Sequence, residues 1–210
     1  MYKWEGLEIK KIGRCIFLQK RLKICNSCEF IEKIKTTAPI FSEVFNWGKE
    51  KFEYSIFDSV EFLNLSDITQ VYGFIFNKKG KILIIKSPER SEWSLPGGGP
   101  EKCDKNWKET LIREVIEEAD VEIKRIIPLF YLSAKRKAKK KSKGKEGIML
   151  RAMAKVDKIN QQTIDPATGK INERKFISQK DFLKYCPWGE NGKVQLNLAI
   201  KKRKEIIKKK

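Results

Sequence analysis

The sequence of 210 residues contains no histidine. This absence excludes catalytic triads of the Ser-His-Asp and Cys-His types, zinc sites with histidine ligands, and imidazole general bases. Any chemistry must therefore use carboxylates, cysteine, lysine, tyrosine, or a metal ion held by oxygen ligands.

Long apolar runs are also missing. A membrane-spanning helix needs about 20 consecutive apolar residues, whereas one of the longest runs here extends only over Ile126–Leu132. The first residues include Glu5 and Glu8 and no apolar segment, so we expect neither a secretory signal nor a membrane partner. The five cysteines are expected to be reduced thiols of a cytoplasmic protein. Cys25 and Cys28 form half of a zinc motif, but no second such pair exists, so ordinary cysteines are preferred.

Basic residues outnumber acidic ones by 46 to 27, which gives a formal net charge of +19. The segment 135–145 has eight basic residues in eleven, and the segment 201–210 has seven in ten. One interpretation is a surface that binds phosphate or RNA. The simpler interpretation is a solvated loop over 135–146 and a solvated tail, because no aromatic residues alternate with the lysines as base stacking would require.

Apolar residues make up 40% of the chain, enough for a folded core. Residues 1–66 carry no chemical motif, although Phe52, Tyr54 and Ile56 alternate as in a strand, and we interpret them as an N-terminal extension of unknown role. From residue 67 the hydrophobic pattern is clearer. It predicts a β-hairpin of 71–76 and 81–86, a helix over 106–119 capped by Asp104 or Asn106, strands at 121–132, 148–156 and 173–177, a helix starting near 179, and a terminal amphipathic helix over 194–207.

Three glutamates of the predicted helix carry the chemical signal. Glu114, Glu117 and Glu118 are spaced three and four residues apart, so their carboxylates share one helix face. Like charges on one face repel, and Arg113 can reach Glu117 or Glu109 without neutralising the whole cluster. A solvated acidic face is the ordinary explanation of such a pattern.

The segment just upstream changes that interpretation. Three consecutive glycines, Gly97–Gly99, allow the backbone to approach another group closely. A glycine carbonyl together with the three carboxylates would form a ligand set of oxygens alone, which suits Mg²⁺ or Mn²⁺. Such ions polarise phosphorus and activate bound water, so the residues predict metal-assisted attack on a phosphate ester or anhydride.

The segment from Gly97 through Glu118 resembles the signature of the Nudix hydrolase family. The core of that signature, Arg-Glu followed by an aliphatic residue, any residue and Glu-Glu, is matched in full by 113–118. The lead-in Leu95-Pro96-Gly97-Gly98 and the preceding hairpin are also similar. The resemblance implies an α/β/α sandwich around a mixed β-sheet, covering residues 67–207.

Two positions depart from the signature. Lys105 stands where the first signature glutamate is expected, and the neighbouring Asp104 is a candidate for its role. Asp120 stands where a glycine usually ends the helix in the left-handed conformation, which aspartate tolerates better than most residues.

The resemblance also implies roles for individual residues. Glu114, Glu117 and Glu118 match the metal-binding glutamates. The carbonyl of Gly97 or Gly98 would join the metal shell, and Arg113 would orient a glutamate. A further glutamate often acts as ligand or base, for which Glu173 is the first candidate and Glu146 the reserve.

The implied reaction is attack by water on a pyrophosphate bond, with Mg²⁺ or Mn²⁺ as cofactor and Glu114 or Glu173 as proton acceptor. The substrate would be a small nucleoside diphosphate linked to another group, with Tyr72, Phe74 and Trp93 as candidate contacts to the base. Two alternatives are an RNA-directed hydrolase, suggested by the charge, and a catalytically silent nucleotide sensor, suggested by the departures at Lys105 and Asp120. The sequence leaves the oligomeric state open.

Overall fold

The computed structural model describes residues 2–4, 7–12, 15–18, 38–47, 50–60, 67–137 and 147–208. The chain divides into two compact units, Met1–Ala38 and Pro39–Lys210. The first unit has three described strands that pair antiparallel in sequence order: β1 (Tyr2–Trp4), β2 (Leu7–Ile12) and β3 (Cys15–Leu18). Cys25 and Cys28, for which ordinary cysteines were predicted, lie outside the described residues.

The second unit is built on an eight-stranded sheet. Its strands are β4 (Phe41–Trp47), β5 (Glu50–Phe57), β6 (Ile68–Phe76), β7 (Ile82–Lys86), β8 (Gly97–Gly98), β9 (Val121–Lys137), β10 (Gly147–Ile159) and β11 (Glu173–Ile177). The order is β11-β7-β6-β10-β9-β5-β4, and β8 pairs with β6 beside this path. Strands β6 and β10 run parallel while the other pairs are antiparallel, which confirms the predicted mixed sheet.

Helices cover both faces of this sheet. They are α1 (Trp107–Ala119), a 3-10 turn (Gln179–Asp181), α2 (Phe182–Tyr185) and α3 (Gly189–Lys208). Because side chains alternate along a strand, β7 buries Leu83 in one cluster with Leu111 of α1, and Ile84 in another with Phe182 of α2 and Leu196 of α3. The predicted α/β/α sandwich is confirmed.

The predicted hairpin is formed by β6 and β7. The Asn77 backbone N–H donates to the Lys81 carbonyl at 3.0 Å, and Gly80 has φ +72°, a left-handed conformation that glycine adopts without strain.

Three boundaries differ from the sequence expectations. The chain divides after Ala38 and not after residue 66, because β5 pairs with β9 over Lys51–Phe57, so β4 and β5 belong to the large sheet. Strand β9 continues through Lys137 into the lysine-rich segment, whose residues 138–146 lie outside the described part. Helix α3 begins at Gly189, before the apolar periodicity starts, and it buries Asn191 to 5% exposure.

Cys103 is an exposed free thiol and Cys186 a buried one. The cytoplasmic location stays a prediction. None of the helices in the described ranges combines the length and the apolar character needed to cross a membrane.

Both ends of α1 follow from local chemistry. The Asn106 side chain accepts hydrogen bonds from the N–H groups of Lys108 and Glu109, which caps the first turn. Asp120 ends the helix with φ 49°, the expected left-handed conformation, and its N–H donates to the Ile116 carbonyl at 2.8 Å. The Asp120 carboxylate also accepts from the backbone N–H and the hydroxyl of Thr163, both at 2.8 Å.

We predict that Asp120→Ala destabilises the protein by about 1 kcal/mol more than Asp120→Gly, because only alanine is strained in the left-handed conformation. Both variants lose the bonds to Thr163, so their difference isolates the backbone effect. Urea unfolding followed by circular dichroism measures it, and equal midpoints would contradict the prediction.

Candidate active site

The glycine loop is held against β6 by close backbone contact. Gly97 and Gly98 pair with Tyr72 and Val71, and Gly97 has φ +145°. A Cβ atom on Gly97 would overlap the Val71 carbonyl oxygen and the Tyr72 backbone. Only glycine fits this position.

Two glutamates of α1 contact this glycine backbone. The Glu118 Oε2 atom accepts a hydrogen bond from the Gly97 N–H at 2.7 Å. A Cβ atom on Gly98 would overlap the Glu114 carboxylate, so that carboxylate lies directly on the glycine. The structure therefore brings together Gly97, Gly98, Glu114 and Glu118, and their role as metal ligands stays a prediction.

Arg113 joins the loop to the helix. Its Nε and Nη2 atoms donate to the two carboxylate oxygens of Asp104 at 3.2 and 3.0 Å. Nη2 also donates to the Gly99 carbonyl at 2.9 Å, and Nη1 donates to Glu117 at 2.9 Å. The ion pair with Glu114 measures 3.1 Å. The hydrogen bond with Asp104 is the main cause of the raised pKa of Arg113, so the guanidinium is firmly cationic and balances much of the acidic cluster.

Asp104, and not Lys105, is the residue beside Arg113. The Asp104 side chain is 5% exposed, and its hydrogen bonds from Arg113 lower its pKa. Lys105 is exposed, and its backbone N–H donates to Glu109 at 2.9 Å. This geometry agrees with Asp104 as the candidate for the displaced signature glutamate, which stays a prediction.

The carboxylates of Glu114, Glu117 and Glu118 are partly buried beside one another. Burial raises the pKa of Glu118 to about 8, the nearby charges of Glu114 and Asp165 add to this shift, and the N–H of Gly97 opposes it. Burial also raises the pKa of Glu114. A cluster of buried carboxylates of this kind favours a bound cation.

Within the described ranges, no three acidic or cysteine side chains stand close enough together to hold a metal ion as placed. The reason is visible in their contacts: Glu114 and Glu117 are turned to Arg113, and Glu118 is turned to Gly97.

Asp165 is a buried carboxylate near this cluster that the sequence pattern indicated only as a turn residue. It is 5% exposed, and its Oδ2 atom accepts from the Asn172 amide at 2.9 Å. The same amide donates to the Glu118 carbonyl at 3.3 Å. The Asp-Pro-Ala-Thr-Gly sequence predicts only a turn. The position of Asp165 near Glu118 depends on where that turn packs, which the local sequence does not indicate.

The three predicted aromatic contacts have different surroundings. Tyr72 is half-buried next to the glycine loop, and the Arg151 guanidinium lies 4.7 Å from its ring centroid. The prediction that Phe74 contacts a ligand is wrong, since Phe74 has no exposed surface and packs between Phe130 and Phe182 in the core. Trp93 packs edge-on against Tyr185.

Glu173 is not brought to the cluster. It is 63% exposed, and its carboxylate pairs with Lys86 at 3.4 Å. Strand alternation places it on the same face as Ile177, which is buried in the cluster with α2 and α3, whereas α1 covers the opposite face. Glu146 lies outside the described residues.

The family model of the NUDIX domain matches residues 68–195, more than half of the chain, and the chain therefore belongs to the Nudix family. The predicted activity, hydrolysis of phosphoric anhydride bonds, is confirmed at the level of the family. No curated protein matches the chain significantly in sequence.

The chain is similar to several solved structures, and one with a TM-score above 0.5 supports the fold. The pyrophosphohydrolase BsRppH of Bacillus subtilis has a TM-score of 0.56 at 15% identity, over 76% of this chain and 97% of that chain. The NUDIX domain of NrtR from Shewanella oneidensis, complexed with ADP ribose, has a TM-score of 0.49 at 19% identity, over 65% and 88%. MutT, studied from Aliivibrio salmonicida and Vibrio cholerae, has a TM-score of 0.43 at 20% identity, over 64% and 98%.

We predict that Gly98→Ala lowers pyrophosphatase activity about a hundredfold, because the new methyl group displaces the Glu114 carboxylate by roughly an ångström or more. The melting temperature should stay close to the parent value, since the displaced atoms are the end of a flexible side chain. Gly99→Ala is the matched control, because its Cβ would lie 3.5 Å from the Thr69 carbonyl oxygen, an ordinary contact. Equal activity of the two variants would contradict the prediction.

Asp104→Ala should lower activity about 10–100-fold, because Arg113 loses the carboxylate that orients it. Lys105→Ala should leave activity unchanged, since that side chain is exposed. Steady-state kinetics of both variants tests the assignment of the signature role to Asp104, and a larger loss in Lys105→Ala would refute it.

Proposed function

We propose that the chain hydrolyses the pyrophosphate bond of a nucleoside diphosphate linked to another group, in a small nucleotide or a nucleotide sugar. The observation that carries this proposal is the contact of two partly buried glutamates, Glu114 and Glu118, with the backbone of Gly97 and Gly98. Arg113 fixes the third, Glu117, within the same cluster.

The donor set fits a hard divalent cation, Mg²⁺ or Mn²⁺, because it consists of oxygens alone. Glu118 is partly buried, and the charge of Arg90 only partly offsets the rise of its pKa. Glu114, Glu117 and Glu118 would hold the ion, with the carbonyl of Gly97 or Gly98. Since Glu114 and Glu117 now contact Arg113, ion binding competes with that arginine. When bound, the ion supplies charge neutralisation at the phosphates and an activated water.

We assign Glu114 as the proton acceptor in preference to Glu173. The Glu114 carboxylate is 14% exposed and lies on the glycine backbone at the centre of the cluster, whereas Glu173 is paired with Lys86 on the other face of the sheet. Arg113 positions Glu114 and Glu117 through direct ion pairs. Of the three aromatic candidates from the sequence, Tyr72 is the one that lies beside Gly97.

The RNA-directed hydrolase and the silent sensor stay as alternatives. Neither is favoured by a contact among the described residues, and much of the lysine-rich segment lies outside them. Substrate turnover distinguishes the three functions.

The deciding experiment measures phosphate release with Mg²⁺ or Mn²⁺ on nucleoside triphosphates, ADP-ribose, dinucleoside polyphosphates and 5′-triphosphorylated RNA. We expect turnover of a small nucleotide that requires the metal, and a loss of about a hundredfold or more in Glu114→Gln and in Glu117→Gln. Glu109→Gln is the control, because Glu109 lies on the same helix but bonds to the helix cap.

Turnover of RNA alone would assign a function to the lysines. Nucleotide binding without turnover of any member would support the sensor and refute the hydrolase proposal.

A further inference from the structure

A cavity of about 380 Å³ lies between the sheet and α3. Its walls are mainly apolar, with Phe45 of β4, Tyr54 of β5, Met149 of β10 and Trp188 just before α3. The rings of Phe45 and Tyr54 stack with their centroids 4.5 Å apart. Flat aromatic walls with few polar groups suit an aromatic ligand better than a phosphate.

Arg151 of β10 is the one cation among the described residues that line this cavity. It is 6% exposed, and its Nε atom donates to Gln195 at 2.8 Å. Its Nη1 atom is buried and has no hydrogen-bond partner within the described ranges. No ion pair with a carboxylate is found there either. A buried guanidinium without an acidic partner is costly to the fold, so an acceptor on a bound ligand would stabilise it.

The other polar groups of the cavity are largely engaged with one another. Asn191 donates to Glu43 at 2.8 Å, and Gln195 donates to Asn191 at 2.5 Å. The Gln195 oxygen accepts from Arg151. Glu43 keeps capacity to accept further bonds, since a carboxylate has about four lone-pair sites. The cavity thus offers a ligand one buried donor, on Arg151, and one acceptor, on Glu43.

A chain of contacts links the cavity to the glutamate cluster. The Arg151 guanidinium packs on the ring of Tyr72, Tyr72 pairs with Gly97, and the Gly97 N–H binds Glu118. A nucleotide with its base in the cavity would have to extend its phosphates past Tyr72 and Gly97, at the edge of β6, to reach the glutamates of α1.

We propose that this cavity binds the base of the substrate and selects a guanine-type 6-oxopurine over adenine. The inference rests on the proposed function, because it assigns the base subsite of the same nucleotide. Guanine presents an acceptor, O6, to the free Nη1 donor of Arg151, and its N1–H and amino group are donors for the Glu43 carboxylate. Adenine would place its N6 amino donor against the arginine.

Calorimetric titration of the full chain with GMP and with AMP, without divalent metal, tests the proposal. We expect GMP to bind at least about tenfold more tightly than AMP. Arg151→Gln should bring the two affinities to near equality. Arg203→Gln is the matched control, since it makes the same charge change at a different cavity and should keep the preference. Arg151→Lys keeps the charge but loses the planar guanidinium, so it should also lose the preference for GMP. This variant replaces Arg151→Gln in the test if Arg151→Gln does not fold.

Equal binding of GMP and AMP, no binding of either, or an unchanged preference in both Arg151 variants would overturn the proposal. A parallel hydrolysis assay on guanosine and adenosine diphosphate derivatives distinguishes failure of the base subsite from failure of the proposed hydrolase function. A preference for GMP without hydrolysis of either derivative would support the base subsite and refute the hydrolase. Equal hydrolysis of the guanosine and adenosine derivatives, with no binding preference, would support the hydrolase and refute the base subsite.

Discussion

The ion-pair network of Arg113 is the interaction on which the candidate site depends. Three glutamates on one helix face repel one another, and their burial against the glycine loop increases that cost. The guanidinium offsets it through Asp104, Glu114 and Glu117 and also binds the Gly99 carbonyl. One side chain thereby balances part of the negative charge of the cluster and ties the loop to α1. A cation that binds the glutamates must replace part of this network, which couples ion binding to the position of the loop.

Strand β6 connects this network to the rest of the domain. Its backbone pairs with Gly97 and Gly98 beside the glutamates and runs parallel to β10 on its other side, where Tyr72 is opposite Arg151. Strand alternation then separates two environments. Val71 packs toward α1 and the carboxylates, while Tyr72 packs toward the α3 face and the cavity. The phosphate chemistry and the base subsite that we propose meet at this strand.

The departures from the family signature change less of the site than the sequence suggested. Asp104 reaches Arg113 from the position before Lys105 with both carboxylate oxygens, and a left-handed Asp120 replaces the usual glycine with bonds to Thr163. Asp104 thus forms its contact from a different position in the loop, and Asp120 adds side-chain bonds that a glycine could not make.

The sequence by itself determined the hairpin, the extent of α1, the family and the grouping of Glu114, Glu117 and Glu118, because these depend on local periodicity and on spacing along one helix. Only the tertiary structure decided that Arg151 faces a cavity, that Asp165 approaches Glu118, that Phe74 is core, and that Glu173 lies on the far face. It also placed β4 and β5 in the large sheet. These features depend on pairing and register between strands far apart in the chain, and a shift of one residue would reverse the face that each side chain occupies.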